Sequence, residues 1–504
     1  MKKIKILAML FASLWLSSCE KYLDINQDPS NPQVAEGHVL LPPLLAGMMR
    51  GEAFDSRYIG QYIQNWHSSG GGNTWDRHGY VAGSDAAGEK WRQHYFALGQ
   101  NIVLAIRDGQ EKGKWDYSGV AKAIQAWSWQ STTDYHGEMI LKQMFEPNRY
   151  VFDFDKQEDV YAEVVRGCND ALTDLARTDG IVSMISLARG DLVYKGDRTK
   201  WIKFVYGILA RNANHLSNKS TYNPDKVIEY VDKSLASNAD NFNVPHTGTS
   251  TADGNFFGPT RNNMGSYRQS AYMVSLLNGT VFKDVKDPRL ALMLTPSVDG
   301  TYRGVNTTFG DPNSGTAATR IATLWNTVPG VATTALDGRY IFSDKADYPL
   351  MTYFELQFIK AEALFKKGDK AKALEAYKNG IIAHLAYAKA TAKEQTDYLA
   401  SAAVVDVDAD LKLSDIMLQK YIALWGHGCL ETWVDMRRYN YSNEVYTGFT
   451  LPIGTQLSAD NGGKPAQRVR PRYNSEYVWN RNSLDIIGGN NFDYHTYELW
   501  FTKK

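Results

Sequence analysis

The sequence predicts an all-α fold built from pairs of helices, and three observations support that prediction. Apolar residues recur with a period near 3.6, not 2, through most of the chain. One segment, about residues 350–388, has the spacing of two helices joined by a glycine turn. The helical period lapses in stretches rich in Gly, Asn, Thr and Pro, above all about residues 241–348, which we expect to form a loop-rich insertion.

The first 19 residues predict export and lipid attachment. Three lysines among the first five residues precede an apolar run, residues 6–16, that is too short to span a bilayer as a helix. The run ends in Leu-Ser-Ser-Cys, which resembles a bacterial lipobox and implies cleavage before Cys19 and acylation of that cysteine by fatty acids such as palmitate. We therefore expect a lipoprotein signal peptide over residues 1–18 and a lipidated tether over 19–36. The alternative is an ordinary signal peptide with a cysteine nearby.

Charge and cysteine content narrow the possible partners. The 55 basic and 55 acidic residues become 52 and 55 once the three lysines of the signal peptide are removed, which does not suggest a nucleic-acid partner. Cys168 and Cys429 fall in helical patterns, where buried free thiols are expected. No later segment approaches 18 consecutive apolar residues, so the lipid is the expected membrane attachment.

The mature chain is predicted to be a single domain, residues 37–504, whose helices follow one another in pairs. An apolar run over Val39–Met49 predicts a first helix that begins at Pro42 and Pro43. The next helices form a predicted array over about residues 91–236. They are expected over Trp91–Ile106, Ser118–Tyr135, Val160–Ala176, Lys200–Leu216 and Pro224–Ala236.

The hairpin at about residues 350–388 resembles a tetratricopeptide repeat. Its first helix carries one apolar stripe, and Lys367-Gly368-Asp369 supplies the turn. Alanines stand where the two helices should cross closely, and Tyr377 provides a large ring to fill the groove toward the next pair.

A buried helix is predicted over about residues 414–439, because apolar residues occur on nearly every side of it. Near its end stands a charged cluster that we expect to be paired internally or to neighbouring backbone. After it, residues 441–504 form a predicted irregular tail. The cluster consists of Glu431, Asp435, Arg437 and Arg438.

Several segments together resemble one known family. They are the lipobox at Cys19, Leu23–Pro29, Ala361–Phe365, Gln419–Leu424 followed by Trp433, Asp435, Arg437 and Arg438, and Glu476 with Asn480. Over essentially the whole chain this pattern is similar to the SusD/RagB family of nutrient-binding outer-membrane lipoproteins of Bacteroidetes. The chain departs from the family pattern at Tyr473-Asn474, where a Tyr-Pro pair is usual, and this leaves the path of the tail open.

The resemblance implies an all-α, SusD-like body in which four tetratricopeptide-like helix pairs form a right-handed superhelix with long irregular insertions. It also implies a SusC-like TonB-dependent transporter as partner, over which the protein sits as a lid at the outer membrane, facing the cell exterior. On this interpretation the protein binds an oligomeric nutrient, with a glycan as the expected ligand and a peptide as the alternative. It is not expected to be an enzyme or to carry a cofactor.

Enzyme and metal signatures are missing from the sequence. His-Glu-x-x-His, Gly-x-Ser-x-Gly, a phosphate loop and Cys-x-x-Cys are all absent. Asp406, Asp408 and Asp410 resemble the start of a calcium loop, but Leu411 and Met417 stand where glycine and glutamate belong. We interpret the histidines as ordinary polar or core residues and predict no metal site. These histidines are His67, His78, His94, His136 and His427.

Two alternatives stay open. A surface glycan hydrolase needs only two suitably spaced carboxylates, and 55 acidic residues offer many pairs. A repeat scaffold that binds only protein would need no small ligand at all.

Loops that carry both aromatic rings and hydrogen-bonding groups are the predicted ligand sites, because sugar rings stack on aromatic faces while their hydroxyls need donors and acceptors. The alternative is that these rings pack the loops onto the helices. Our first choice is the glycine-rich loop 68–80 with Asn73, Trp75, Arg77 and Tyr80, and our second is Phe256, Phe257, Arg261 and Trp325.

Overall fold

The fold consists mainly of helices. The computed structural model describes residues 35–331 and 338–504, and within that part the only sheets are two short antiparallel ribbons. The prediction of an all-α fold is confirmed. The predicted signal peptide, Cys19 and the segment Leu23–Pro29 lie outside the described residues.

Sixteen α-helices are described. They are α1 (Gly37–Tyr62), α2 (Glu89–Arg92), α3 (Gln100–Glu111), α4 (Trp115–His136), α5 (Gln157–Ala176), α6 (Met184–Ala188), α7 (Arg198–His215), α8 (Pro224–Lys233), α9 (Ala271–Leu277), α10 (Arg289–Met293), α11 (Tyr353–Lys367), α12 (Lys370–Tyr387), α13 (Ala392–Leu399), α14 (Leu413–Ala423), α15 (Cys429–Arg438) and α16 (Arg481–Ile486). A π-helical turn, Gln93–Gly99, joins α2 to α3, and a second one is Tyr473–Tyr477.

The ribbons involve four short strands that the sequence did not reveal. They are β1 (Trp66–Ser68), β2 (Phe242–Val244), β3 (Tyr267–Gln269) and β4 (Tyr348–Met351). β1 pairs with β3, and β2 pairs with β4. The first ribbon therefore connects the insertion to the chain just after α1, and the second connects the two ends of the insertion to each other.

The predicted start and end of the first helix were wrong. α1 runs for 26 residues, and Pro42 and Pro43 lie inside it. Burial of apolar residues on both sides of the prolines outweighs the backbone hydrogen bonds that the prolines remove. These buried residues include Leu41, Leu44, Leu45, Met48 and Ile59.

Helices that follow one another in the sequence pack together, as expected. α3 lies against α4, α4 against α5, α7 against α8, and α11 against α12. The turn of the α11–α12 hairpin is confirmed, because Gly368 has φ of 91° and closes α11 in the left-handed conformation. The side chain of Asp369 then accepts a hydrogen bond from the backbone N–H of Lys372 and begins α12.

Close approach of the hairpin helices gives a test of packing. A Cβ atom at Gly380 of α12 would stand 2.8 Å from the Phe358 ring of α11, whereas one at Gly167 of α5 would make an ordinary contact of 3.5 Å with Ala126. We expect Gly380→Ala to lower the free energy of unfolding by about 1–3 kcal/mol through overpacking. Gly167→Ala is the matched control and should raise it by about 0.5–1 kcal/mol through helix propensity. Equal shifts in denaturation midpoint for the two variants would contradict this packing argument.

The predicted single buried helix over residues 414–439 is two helices, α14 and α15. The chain breaks at Gly426, whose φ is 89° and whose backbone N–H donates to Asn65 Oδ1 at 2.8 Å. The prediction of burial is confirmed, because every residue of α15 is buried. The tail after α15 is mostly irregular, as predicted, with α16 and short turns.

The charged cluster at the end of α15 is paired as predicted. Arg438 donates to Asp435 on its own helix and to Glu362 of α11, with Nη1–Oε1 at 2.6 Å. Arg437 donates to the backbone carbonyls of Trp433, Gln467 and Asp134. The resulting buried ion network consists of two groups of ion pairs, which together involve α4, α7, α11, α14 and α15. The first group is Asp134, Arg211, His215, Glu355 and Glu431. The second is Glu362, Lys420, Asp435 and Arg438.

Candidate functional site

The two loop regions predicted from sequence to bind ligand come together over α1. β1 leads into the glycine-rich loop, and its partner β3 belongs to the insertion, with Ser68 opposite Tyr267. Gly71 lies against the backbone of the insertion, since a Cβ atom there would stand 2.4 Å from the Gly310 nitrogen. Only glycine allows so close an approach at position 71.

Two polar residues of the first predicted loop hold the loop itself. Asn73 donates through Nδ2 to Gln61 Oε1 at 2.8 Å, and its Oδ1 accepts from the backbone N–H groups of Trp75 and Asp76, both at 3.0 Å. Arg77 donates to three backbone carbonyls of the tail, over residues 455–457, at 2.8–3.2 Å. These hydrogen bonds fix the loop against α1 and the tail.

Three of the predicted rings support the site from below. Trp75 is buried and packs on Tyr58 of α1, with ring centroids 4.8 Å apart. Trp325 is also buried and donates through Nε1 to the Phe257 carbonyl oxygen at 2.6 Å, while Phe257 has no exposed surface. In this arrangement Trp75, Phe257 and Trp325 pack the loops onto the helices. Direct contact between these rings and a ligand stays a prediction.

A half-buried surface of rings and guanidinium groups lies above them. The Arg57 guanidinium carbon stands 4.0 Å from the Phe54 ring centroid and 5.3 Å from that of Phe256. Phe256 belongs to the second group of residues that the sequence predicted to bind ligand. Arg261 lies across Phe256, with its guanidinium carbon at 5.8 Å. We call this surface the aromatic–guanidinium platform and define it as Phe54, Arg57, Tyr58, Arg261 and Tyr267.

The polar groups of the platform can serve a neutral, hydroxyl-rich ligand. Arg57 uses Nε for the Phe54 carbonyl oxygen at 3.0 Å, and among the described residues no acceptor takes its Nη atoms. Burial raises the pKa of Tyr267 to about 12 and also raises that of Tyr58, with the charge of Arg57 opposing both shifts. Both phenols therefore remain protonated hydrogen-bond donors at neutral pH.

Sequence reasoning missed Phe54, Arg57 and Tyr58. Their spacing of i, i+3 and i+4 places them on one face of a helix, and this signal was present in the sequence. The predicted first helix ends at Met49 and therefore does not include these three residues. Tyr267 lay within the insertion with no periodic pattern to mark it.

Tyr80 lies outside the platform, although it belongs to the same loop as Trp75. It lines a cavity of about 240 Å³ together with residues of the tail. The Arg470 guanidinium carbon stands 4.9 Å from its ring centroid, and Tyr473 stacks on Tyr477 with centroids 5.7 Å apart. Rings and charged groups thus converge here as well, so a ligand contact by Tyr80 stays a prediction.

The histidines singled out in the sequence are all buried. His67 pairs with Asp76, and burial lowers the pKa of each of the other four to about 3, which keeps them neutral. The described residues hold one group with the side chains of a metal site, namely Asp134, His215 and Glu431, whose ligand atoms lie within 4.8 Å of one another. Burial opposes the charge of His215, but the carboxylates of Asp134 and Glu431 raise its pKa to about 9, so His215 is itself the cation at neutral pH.

None of the helices in the described part of the chain has the length and hydropathy needed to cross a bilayer.

Comparisons with known proteins agree on the family and the fold. A SusD-like family model, described as "Starch-binding associating with outer membrane", matches residues 29–451. No match is found among curated protein sequences. Solved structures that resemble the chain include a SusD/RagB family protein from Bacteroides thetaiotaomicron, at 21% identity and a TM-score of 0.71, over 93% of this chain and 99% of the other.

Two further solved structures are described as chitin-binding. One, a chitin-binding protein, has 20% identity and a TM-score of 0.71, and covers 93% of this chain and 99% of its own. The other, a chitin-binding SusD homolog from Flavobacterium johnsoniae, has 20% identity and a TM-score of 0.67, over 92% of this chain and 96% of its own. At this identity the likeness shows a shared fold.

Proposed function

The chain belongs to the SusD-like family, and we propose that it is an outer-membrane lipoprotein that captures an oligomeric glycan on the aromatic–guanidinium platform. The observation that carries this proposal is the meeting of two distant loops over one face of α1, where rings and guanidinium groups lie side by side at 4.0–5.8 Å. Sugar rings stack on aromatic faces, and guanidinium groups bind their hydroxyls in pairs.

The descriptions of the relatives support a particular class of glycan. The family description refers to starch, and two relatives of the same fold are described as chitin-binding. We therefore propose an oligosaccharide of repeated glucose or N-acetylglucosamine units as the ligand, with a peptide as the second candidate. The chain is a binding protein rather than an enzyme, so the bound oligosaccharide is expected to leave unchanged.

Attachment and delivery complete the proposal. Acylation of Cys19 would hold the protein at the outer membrane, facing the cell exterior. A SusC-like TonB-dependent transporter would receive the ligand, with this protein acting as its lid. Replacing Cys19 by alanine should release the protein from membranes, and the transporter should copurify with the lipidated form from detergent extracts.

Variants of the platform test the binding proposal. We expect Arg57→Met to weaken binding of malto- or chito-oligosaccharides about tenfold, because it removes charge-assisted hydrogen bonds and keeps the apolar stem. Tyr58→Leu should weaken it about threefold by removing a stacking face and a donor. Isothermal titration calorimetry with oligosaccharides of six units measures both effects.

The matched control is Tyr230→Leu, which alters another half-buried tyrosine that lies beside a cation, Lys226 of α8. This variant should bind as the unmodified protein does. Unchanged affinity in both platform variants would place the site elsewhere, with the Tyr80 cavity as the next candidate. New reducing ends after incubation with the oligosaccharide would instead support a hydrolase.

A further inference from the structure

The segment between α5 and α7 exposes large apolar side chains to solvent. Met184 and Ile185 on the short helix α6 are 64% and 75% exposed, and Ile181 just before it is exposed as well. Single exposed apolar residues are normal on protein surfaces, but three within five positions concentrate exposed apolar side chains in one short segment.

This segment is held in a defined conformation. Asp191 is buried, and its carboxylate accepts hydrogen bonds from the backbone N–H groups of Val193, Tyr194 and Gly196 at 2.9–3.1 Å. It also accepts from Trp201 Nε1 of α7 at 2.8 Å. Since one carboxylate satisfies four donors, the loop that follows α6 is anchored to α7.

Over residues 181–196 the exposed charge is basic, and the exposed Asp179 just before them pairs with Arg177. Asp191 is the one acidic residue in residues 181–196, and it is buried. Arg189 and Lys195 are both exposed. A surface that combines large apolar side chains with cations fits a lipid interface with anionic headgroups, because the side chains enter the headgroup boundary while the cations stay at its surface.

The segment also lies beside the start of α1. The Tyr117 hydroxyl donates to the Ser186 carbonyl oxygen, and its ring fills the space above Gly37. A Cβ atom at Gly190 would stand 2.8 Å from the His38 carbonyl oxygen. Val39, in the first turn of α1, is a further exposed apolar residue.

The length of chain before α1 limits the distance between this surface and the membrane. Ala35, the first described residue, follows Cys19 by 16 positions. A chain of that length spans at most roughly 55 Å when fully extended. The start of α1 and the surface beside it are therefore the parts of the body that a lipid on Cys19 brings nearest to the bilayer.

We propose that the membrane-facing patch, defined as Val39, Ile181, Met184 and Ile185 with Arg189 and Lys195, rests on the lipid surface and orients the protein. This inference rests on the proposed acylation of Cys19. The acyl chains supply attachment, and the patch gives the attached protein a preferred orientation, with the apolar side chains in the headgroup boundary and the two cations against anionic headgroups.

A site-specific fluorescent label tests the proposal in the full-length lipidated protein. Ile185→Cys is labelled with bimane and reconstituted in vesicles of phosphatidylethanolamine and phosphatidylglycerol, with or without brominated acyl chains. Cys168 and Cys429 are buried, so labelling is directed to the new cysteine. The matched control is Ile486→Cys on α16, a residue that is 81% exposed.

We expect bromine to quench the label at position 185 by roughly half, as for a group in the headgroup boundary, and to leave the label at position 486 unaffected. Charge reversal at both Arg189 and Lys195 should remove most of the quenching. Flotation of the vesicles is measured in parallel, because failure of the protein to float would overturn the proposed acylation of Cys19.

Flotation without quenching at position 185 would overturn the membrane-facing patch and leave the acylation standing. A blue shift at position 185 that is independent of bromine would also overturn it, since the patch would then be covered by protein, either a second copy of this chain or the transporter.

Discussion

Replacement of Arg438 by methionine is expected to lower the free energy of unfolding by about 3–5 kcal/mol, the usual cost of removing one partner from a buried ion pair. Arg438 and Glu362 are both fully buried, and the guanidinium donates to Glu362 at 2.6 and 3.0 Å and to Ser217 Oγ at 2.6 Å. Without it, the carboxylates of Glu362 and Asp435 remain buried with fewer partners. Chemical denaturation followed by tryptophan fluorescence measures the loss.

An exposed ion pair provides the control for this variant. Arg166 of α5 pairs with Glu163 and Asp170 on its own helix, and its side chain is 62% exposed. Arg166→Met should change the free energy of unfolding by less than about 1 kcal/mol. The double variant Arg438→Met, Glu362→Gln should recover part of the loss, because the unpaired charge is removed as well. A loss no larger for Arg438→Met than for Arg166→Met would show that the network does not stabilise the helical body.

Alkaline pH is expected to destabilise the protein through His215. Burial opposes the charged form of this histidine, but the neighbouring carboxylates of Asp134 and Glu431, at 3.2 and 2.9 Å, outweigh it and raise the pKa of His215 to about 9. The unfolded-state pKa is near 6.5. Because the folded-state value is higher, the stabilisation is fully present below pH 6.5 and is lost as the pH rises through 9. The shift corresponds to about 3 kcal/mol.

Comparison with His215→Gln isolates this contribution. The variant should be less stable than the unmodified protein at pH 6, since the two carboxylates lose their cation, and its stability should fall less between pH 6.5 and 9. Burial raises the pKa of Asp55 to about 8, which also makes stability fall over part of this range, but that contribution is common to both proteins and cancels. Parallel stability curves for the two proteins over this range would contradict a charged His215.

Local patterns in the sequence predicted much of the fold. The 3.6-residue period identified the helices α3–α5, α7, α8, α11 and α12, because each one buries a face against its neighbour in sequence. Gly368 marked the hairpin turn, since the left-handed conformation favours glycine. The acid and guanidinium groups near the end of α15 predicted a paired cluster, because buried charges require partners.

Errors arose where distant contacts override local signals. The sequence pattern suggested that α1 ends at Met49, yet its second half is helical because it is covered by other elements, Trp66 and Trp433 among them. The break at Gly426 depends on Asn65, which is far away in the sequence. The ribbon between β1 and β3 likewise joins strands that no local pattern connects.

The candidate site was likewise predicted in part by the sequence and in part only by the tertiary structure. Composition alone identified two loop regions rich in rings and hydrogen-bonding groups, and the family resemblance indicated a nutrient-binding protein. The tertiary structure decided which of these side chains are exposed. It buries Trp75, Phe257 and Trp325 and leaves Arg57 and Tyr58 half-exposed. The physical reason is that helical period and turn chemistry act between residues a few positions apart, whereas the exposure of a side chain depends on every segment that packs over it.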